Sequence, residues 1–295
     1  MTSVSFKGTG VAIVTPFRED KSVDFKALGK LLQHLLTGQV DYLVVLGTTG
    51  ESVTLKNEEK TAVVDFVIDN VDGKIPIVVG VGGNNTMDAI RHFKDYNFNK
   101  ISAVLSVCPY YNKPTQTGLY EHFKAIAAES PAPVILYNVP GRTGSNMTAE
   151  TTLKLAHEIS SIVAVKEASG NLEQIMQIIK DKPDGFQVIS GDDLLTLPII
   201  SMGGEGVISV LANALPKETS DMVNFALAQK FKQARQLHYQ LMDITRALFT
   251  EGNPAGVKAV LNMLKITPNS LRLPLTPVSK AHYDKLAELL KKARY

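Results

Sequence analysis

A (β/α)8 barrel with a helical C-terminal extension is the fold this sequence predicts, and three observations predict it. Short runs rich in Val and Ile recur eight times between residues 10 and 212. Most lack polar alternation, which is how strands buried on both faces of a parallel sheet look. Helical periodicity fills the intervals between them, and after about residue 216 the strand signals stop while helical patterns continue. Consecutive βα units in that number close most simply into a barrel of ~250 residues. An open doubly wound sheet is the alternative; it usually has fewer consecutive units and often carries a glycine fingerprint for a nucleotide.

The elements follow in order. GVAIVTPF (10–17) is the first strand, ending at Thr15 and Pro16. FKALGKLLQHLL (25–36) repeats apolar residues at spacings of three and four, with Asp24 and Ser22 as candidate caps. YLVVLG (42–47) runs into the turn GTTGES (47–52). EKTAVVDFVIDNV (59–71) is a helix opened by Asn57, Glu58 and Glu59, and IPIVVGVG (75–82) ends in GVGGNN. AVLSVCPYY (103–111) leads into PYYN (109–112), and LYEHFKAIAAE (119–129) is the next helix. PVILYNVP (133–140) ends in YNVPGRTG (137–144). IVAVKEAS (162–169) precedes the helix LEQIMQIIKD (172–181). FQVISGDD (186–193) and EGVISVLA (205–212) complete the eight.

MVNFALAQKFKQARQLHYQLMDITRALF (222–249) is expected as one helix that closes the barrel. GVKAVLNMLKI (256–266) and SKAHYDKLAELLKKA (279–293) are further helices, with PNSLRLPLTP (268–277) as a loop between them. The expected division is therefore a barrel over 1–224, closed by a helix continuing to about 250, and a C-terminal helical region over 225–295 packed on the barrel.

Composition excludes several function classes. The 295 residues are 44% hydrophobic and 20% charged, ordinary for a globular protein and ample for a large core. Net charge is +2, with no basic half, so nothing calls for nucleic acid or an anionic membrane. The start, MTSVSFKGTGVAIVTPF, lacks the parts of a signal peptide, and no apolar run reaches the ~18 residues of a membrane span. The single cysteine, Cys108, allows no intramolecular disulfide and fits a reducing compartment, so a cytoplasmic protein is expected.

In such a barrel the chemistry sits at the C-terminal ends of the strands. Lys166 ends an apolar run there. A lysine is a nucleophile only when neutral, and burial disfavours the charged form. A neutral lysine attacks a carbonyl and forms a Schiff base that activates the adjacent carbon. The competing role is a lysine snorkelling from a strand end. Side chains alternate, so if Ala164 faces the barrel interior Lys166 does too, and Glu167 faces the helices. Tyr137, one strand over, could exchange a proton at the carbinolamine stage, or be a rim tyrosine with a satisfied hydroxyl. GTTGES could surround a small carboxylate with hydroxyls and backbone N–H groups, or be only a turn; no Gly-Lys-Ser/Thr follows, so it is not a P-loop. Arg142 could grip a carboxylate bidentately, or face solvent.

Other motifs fail. GVGG is followed by Asn84 and Asn85, so the dinucleotide fingerprint is absent. His34, His92, His122, His157, His238 and His282 have no metal spacing. Asp192 and Asp193 favour a loop or capping role over metal binding, and Cys108 favours buried packing over nucleophilic work.

GTTGES, PYYNKPTQTGLYEHF, LYNVPGRTG, VAVKEASG, SGDD and GGEGVISV occur in this order on successive strand ends. Together they closely resemble the dihydrodipicolinate synthases, a branch of the pyruvate-dependent, Schiff-base-forming class I aldolases that also contain N-acetylneuraminate lyase. The resemblance runs from GTGVAIVTPF to LRLPLTP, and six pieces in register are highly specific where one would be weak. It implies a barrel with a helical tail, a dimer of tight dimers, and condensation of pyruvate with L-aspartate 4-semialdehyde, the committed step toward diaminopimelate and lysine. It implies no cofactor and no metal. It implies Lys166 as the Schiff-base lysine, and Tyr137 with Thr48 and Tyr111 as a hydroxyl relay, Tyr111 being supplied across the tight-dimer interface. It implies Thr49, and the backbone around Gly191 and Ile208, as holding pyruvate, and Arg142 as receiving the semialdehyde carboxylate.

Lysine-inhibited members bind the inhibitor at positions matched here by Ser52, Val53, Asn57, Lys60, Asn84, Asp88 and Tyr110. Inhibited bacterial enzymes often have histidine or glutamate where Asn57, Lys60 and Asp88 stand, which points to weak inhibition. Near the C-terminus the family's Asn-Pro-Ile-Pro-Val-Lys becomes NPAGVK (253–258), a change expected to touch a helix start rather than the chemistry. A sister aldolase that cleaves N-acetylneuraminate or a 2-keto-3-deoxy sugar acid, and a non-catalytic barrel, are the rival functions.

Overall fold

The computed structural model describes residues 5–294; the remainder of the expected 1–224 and 225–295 division, residues 1–4 and 295, lies outside them. Eight parallel strands close in sequence order into one barrel. They are β1 (Gly8–Ala12), β2 (Tyr42–Val45), β3 (Ile77–Gly80), β4 (Ala103–Val107), β5 (Val134–Asn138), β6 (Ile162–Glu167), β7 (Gln187–Ser190) and β8 (Gly206–Ser209). Each expected strand is present and ends earlier than expected, and β1 also begins at Gly8, two residues before the expected start.

The helices are α1 (Phe25–Thr37), α2 (Asn57–Val71), α3 (Thr86–Arg91), α4 (Gln116–Glu129), the single turn α5 (Pro140–Thr143), α6 (Ala149–Glu158), α7 (Leu172–Asp181), α8 (Thr196–Ser201), α9 (Pro216–Leu227), α10 (Phe231–Thr250), α11 (Ala255–Met263) and α12 (Lys280–Arg294). Asp24 caps α1 by accepting from the Ala27 N–H at 3.0 Å, whereas Ser22 bonds to Asp20 instead. Asn57 is the first residue of α2 and not its cap. The Glu59 carboxylate reaches back to the Lys56 N–H at 2.9 Å, one half of a capping box.

Apolar side chains fill two layers. Ala12, Val44, Val78, Leu105, Ile135, Ala164, Ile189 and Ile208 pack inside the barrel, with Phe6 set edge-on to Tyr42. A larger layer lies between the strands and the helices, where Leu28, Leu31, Leu32 and Leu35 of α1 and Val63, Val64 and Val67 of α2 are all but fully buried. Each such side chain contributes roughly 1.5–3 kcal/mol on removal from water. Buried strands of this kind read as unbroken Val/Ile runs because both faces meet apolar neighbours.

The single helix expected over 222–249 is two. The chain breaks at Ala228–Lys230, where Gln229 takes φ 58° and the Lys230 N–H donates back to the Phe225 carbonyl at 2.8 Å. Ala, Gln and Lys are good helix formers, so the break is a tertiary effect that overrides propensity. It lets α9 stay on the barrel wall against β1 and β8 while α10 carries Arg246 and Phe249 to the C-terminal rim.

The substitution in NPAGVK also does more than alter a helix start. A Cβ on Gly256 would stand 2.2 Å from the Leu248 carbonyl oxygen of α10, so α11 reaches α10 only without a side chain there. Gly256→Ala is expected to cost about 1–3 kcal/mol through overpacking. Thermal unfolding measures it, and an unchanged midpoint would show that the two helices separate freely.

Candidate active site

Strand pairing builds the site. Tyr137 pairs with Lys166 across β5 and β6, and Lys166 pairs with Ile189 of β7. Lys166 is 5% exposed, and its Nζ lies 4.2 Å from the centroid of the Tyr137 ring. Alternation sends Glu167 the other way, as expected. Its fully buried carboxylate accepts from Asn138 Nδ2 at 3.1 Å, Gln174 Nε2 of α7 at 3.0 Å and the Ser169 N–H at 2.7 Å. Burial pushes its pKa up, and the hydrogen bonds oppose that. Glu167 is therefore a structural carboxyl outside the barrel, not a partner of Lys166.

Lys166 opens into a cavity of about 330 Å³ at the C-terminal ends of the strands, walled also by Thr48, Thr49, Tyr137, Arg142 and Gly191. These are six of the eight residues expected to act or to bind substrate. Ile208 is 1% exposed within the packed barrel interior and is not on the cavity wall. Tyr111 is 88% exposed and is not on the wall of this cavity. Its backbone sits at φ 72°, a region costly for a bulky residue, and its N–H donates to the Thr143 carbonyl at 3.4 Å.

Thr48, Thr49 and Gly50 form one 3-10 turn after β2. The Thr15 hydroxyl donates to the Gly50 carbonyl at 2.7 Å, and Asn253 Nδ2 donates to Thr49 Oγ1 at 3.0 Å. Gly191 approaches Lys166 closely: a Cβ there would lie 3.2 Å from Lys166 Cε and 2.7 Å from Ala168 Cβ. Asp192 and Asp193 serve loop geometry. Asp192 accepts from the Leu194 N–H at 2.9 Å, and Asp193 from the Val210 and Leu211 N–H groups at 2.9 and 3.2 Å. Cys108 is fully buried, and burial raises its pKa, as expected of a packing residue.

The chain belongs to the dihydrodipicolinate synthetase family. The model of that family matches residues 5–293. A 4-hydroxy-tetrahydrodipicolinate synthase of Parabacteroides distasonis is 53% identical over 291 residues, covering 99% of this chain and 98% of that one. The dihydrodipicolinate synthase of Aquifex aeolicus superposes with a TM-score of 0.94 at 43% identity, over 98% of both chains. The chloride-inhibited dihydrodipicolinate synthase of Acinetobacter baumannii, solved in complex with pyruvate, superposes with a TM-score of 0.95 at 40% identity, over 98% of this chain and 99% of that one. These near full-length relatives are all named as the synthase, which favours that activity over those of the sister sugar-acid aldolases.

Arg246 and Phe249 of α10 and Asn253 also line the Lys166 cavity of this family member. Sequence reasoning missed them. Arg246 looks like part of the polar face of an amphipathic helix and Phe249 like one more of its apolar residues, so no local signal marks them. NPAGVK did mark Asn253, but as a helix start.

A middle cavity of about 290 Å³ shares Thr48, Tyr137 and Arg142 with the first, and continues to Ser52, Val53 and Tyr110. An outer cavity of about 320 Å³ holds Ser52, Val53, Lys60, Asn84, Asp88 and Tyr110 together, joined by Asn85, His92 and Tyr96. Asn57, expected with them, is not on its wall. Among the described residues no helix is long and apolar enough to cross a membrane, and no group of three or more His, Cys, Asp or Glu could hold a metal ion.

Proposed function

We propose that this chain is a carbon–oxygen lyase that condenses pyruvate with L-aspartate 4-semialdehyde through a Schiff base on Lys166. The observation that carries this reading is a lysine 5% exposed at the floor of a 330 Å³ cavity, in register with Tyr137. Lys166 Nζ adds to the pyruvate ketone, and the carbinolamine loses water to give the imine. Loss of a methyl proton gives the enamine, whose carbon attacks the aldehyde. The semialdehyde amine then adds to the imine carbon and expels Lys166, closing the ring. Tyr137 and Thr48 stand on the wall where the protons of the carbinolamine steps must pass. Thr49 and Gly191 flank the pyruvate position, and Arg142, exposed at the mouth, suits the carboxylate of a short aldehyde.

The assembly proposed is a dimer of tight dimers. Tyr111 at 88% exposure, Val53 at 82% and Met87 at 60% are large apolar side chains left open to solvent, which a second copy would cover. Tyr111 would then enter the partner's relay. Tyr111→Phe is expected to lower kcat by ~10²-fold, the scale of one general acid–base group, while the pyruvate adduct still forms. Unchanged turnover would remove Tyr111 from the relay. The outer cavity is the effector pocket of this reading. Lys60 places a positive charge on its wall, which opposes a diamino acid and makes lysine inhibition weak.

An aldehyde panel at fixed pyruvate tests the function: aspartate semialdehyde, glyceraldehyde and N-acetylmannosamine, followed by pyruvate loss. Rapid consumption with aspartate semialdehyde alone is expected. Preference for a sugar aldehyde would keep the lysine chemistry and overturn the substrate.

A further inference from the structure

NPAGVK and the Glu51 that ends the GTTGE turn have no role in the chemistry described above, yet the fold brings them together. Glu51 and Lys258 are both fully buried and paired with each other. The second Glu51 oxygen accepts from the Arg272 N–H at 3.1 Å. Lys258 Nζ also donates to the Ser270 carbonyl at 2.9 Å and lies 4.2 Å from the centroid of the Phe17 ring. Every polar atom of the pair is thus engaged, and neither residue lines the Lys166 cavity.

Stability alone does not account for such a pair. Two buried charges gain little over a well-packed apolar pair, because desolvation offsets their attraction. Glu51 also stands at φ 53°, in the left-handed region where glycine is the easier choice. The pair does join two particular segments. Residues 253–258 hold the turn twice, Asn253 at Thr49 Oγ1 and Lys258 at Glu51. Thr48, Thr49 and Gly50 lie directly before Glu51, and both threonines line the same cavity as Lys166.

We propose that the Glu51–Lys258 pair is a positioning device for the reaction, drawing the GTTGE turn onto the C-terminal segment so that Thr48 and Thr49 are held at the cavity wall. This rests on the roles given to those two threonines in the Schiff-base mechanism. The pair touches no substrate and acts only through the turn.

The test is the double variant E51Q/K258M, which removes both charges and keeps both shapes. Circular dichroism and thermal unfolding report the fold; steady-state kinetics report pyruvate KM and kcat. Borohydride reduction with saturating pyruvate reports adduct formation at Lys166. The expected result is a folded enzyme that is still labelled at Lys166, with pyruvate KM raised ~10-fold and kcat lowered ~10-fold or more, the scale of sub-ångström misplacement. A purely structural pair would shift the unfolding midpoint and leave both kinetic constants within twofold, which would overturn the proposal. Should the double variant not fold, E51Q alone carries the same test, since Lys258 can then shed its proton; burial already lowers its pKa to about 8. Failure of both variants to fold would assign the pair to the fold and overturn the proposal. A wild-type chain that takes no label overturns the Schiff-base mechanism and this inference together, whereas a labelled wild type with an unaltered double variant overturns this inference alone.

Discussion

Lys166→Met is expected to end condensation, with a fall in turnover of at least ~10³-fold, equivalent to ~4 kcal/mol of lost transition-state stabilisation. Methionine keeps an unbranched stem of similar volume in a site only 5% exposed, so the fold should persist. What disappears is the nitrogen. Borohydride with pyruvate should therefore label the wild-type peptide containing Lys166 and leave the variant unlabelled by mass spectrometry. The other deeply buried lysine, Lys258, is no substitute, since it is paired with Glu51 and off the cavity wall. A wild-type adduct on any other lysine, or a variant with turnover within tenfold of wild type, would sink the assignment.

Gly191→Ala is expected to be nearly as damaging, although it adds one methyl group and removes nothing. The new Cβ would press on Lys166 Cε at 3.2 Å, on Ala168 Cβ at 2.7 Å and on the Glu167 carbonyl at 3.2 Å. Backbone cannot yield easily here, because the Gly191 N–H donates to that same carbonyl at 2.8 Å. The lysine stem is the part able to move, and a shift of ~1 Å in a reacting group costs ~10²-fold in rate. Stopped-flow trapping of the pyruvate adduct should slow by that order, and the unfolding midpoint should fall as well, since Ala168 Cβ can retreat only with its backbone. Normal adduct formation would mean that the cavity relaxes around the methyl and that Gly191 is not needed for lysine placement.

Much of this was legible along the chain. All eight strands were visible as Val/Ile runs because a barrel wall is apolar on both faces. Lys166, Tyr137, Thr48, Thr49 and Arg142 were marked by lying at strand ends, the positions that a closed barrel brings around one cavity, and Gly191 by the family resemblance. Helices α3, α6 and α8 were not marked: α3 and α8 have six residues each, and α6 buries Ala149, Thr151, Thr152, Leu155 and Ala156, a face of mostly small or polar side chains, so packing on the barrel stabilises all three. The outer cavity gathered six of its seven expected residues and left out Asn57, the first residue of α2.

The sequence by itself determined the alternation of strands and helices, the facing of Lys166 and Glu167 to opposite sides, and the family. These follow from local periodicity and from motif residues in order. Only the tertiary structure decided the rest. It broke the long helix at Gln229, placed Arg246, Phe249 and Asn253 on the cavity wall, exposed Tyr111, and joined Glu51 to Lys258 across 207 positions. The physical reason is that periodicity reports which face of an element is buried. It carries no record of which distant element buries that face, and a charged residue in a sequence gives no sign that its counter-charge waits inside the core.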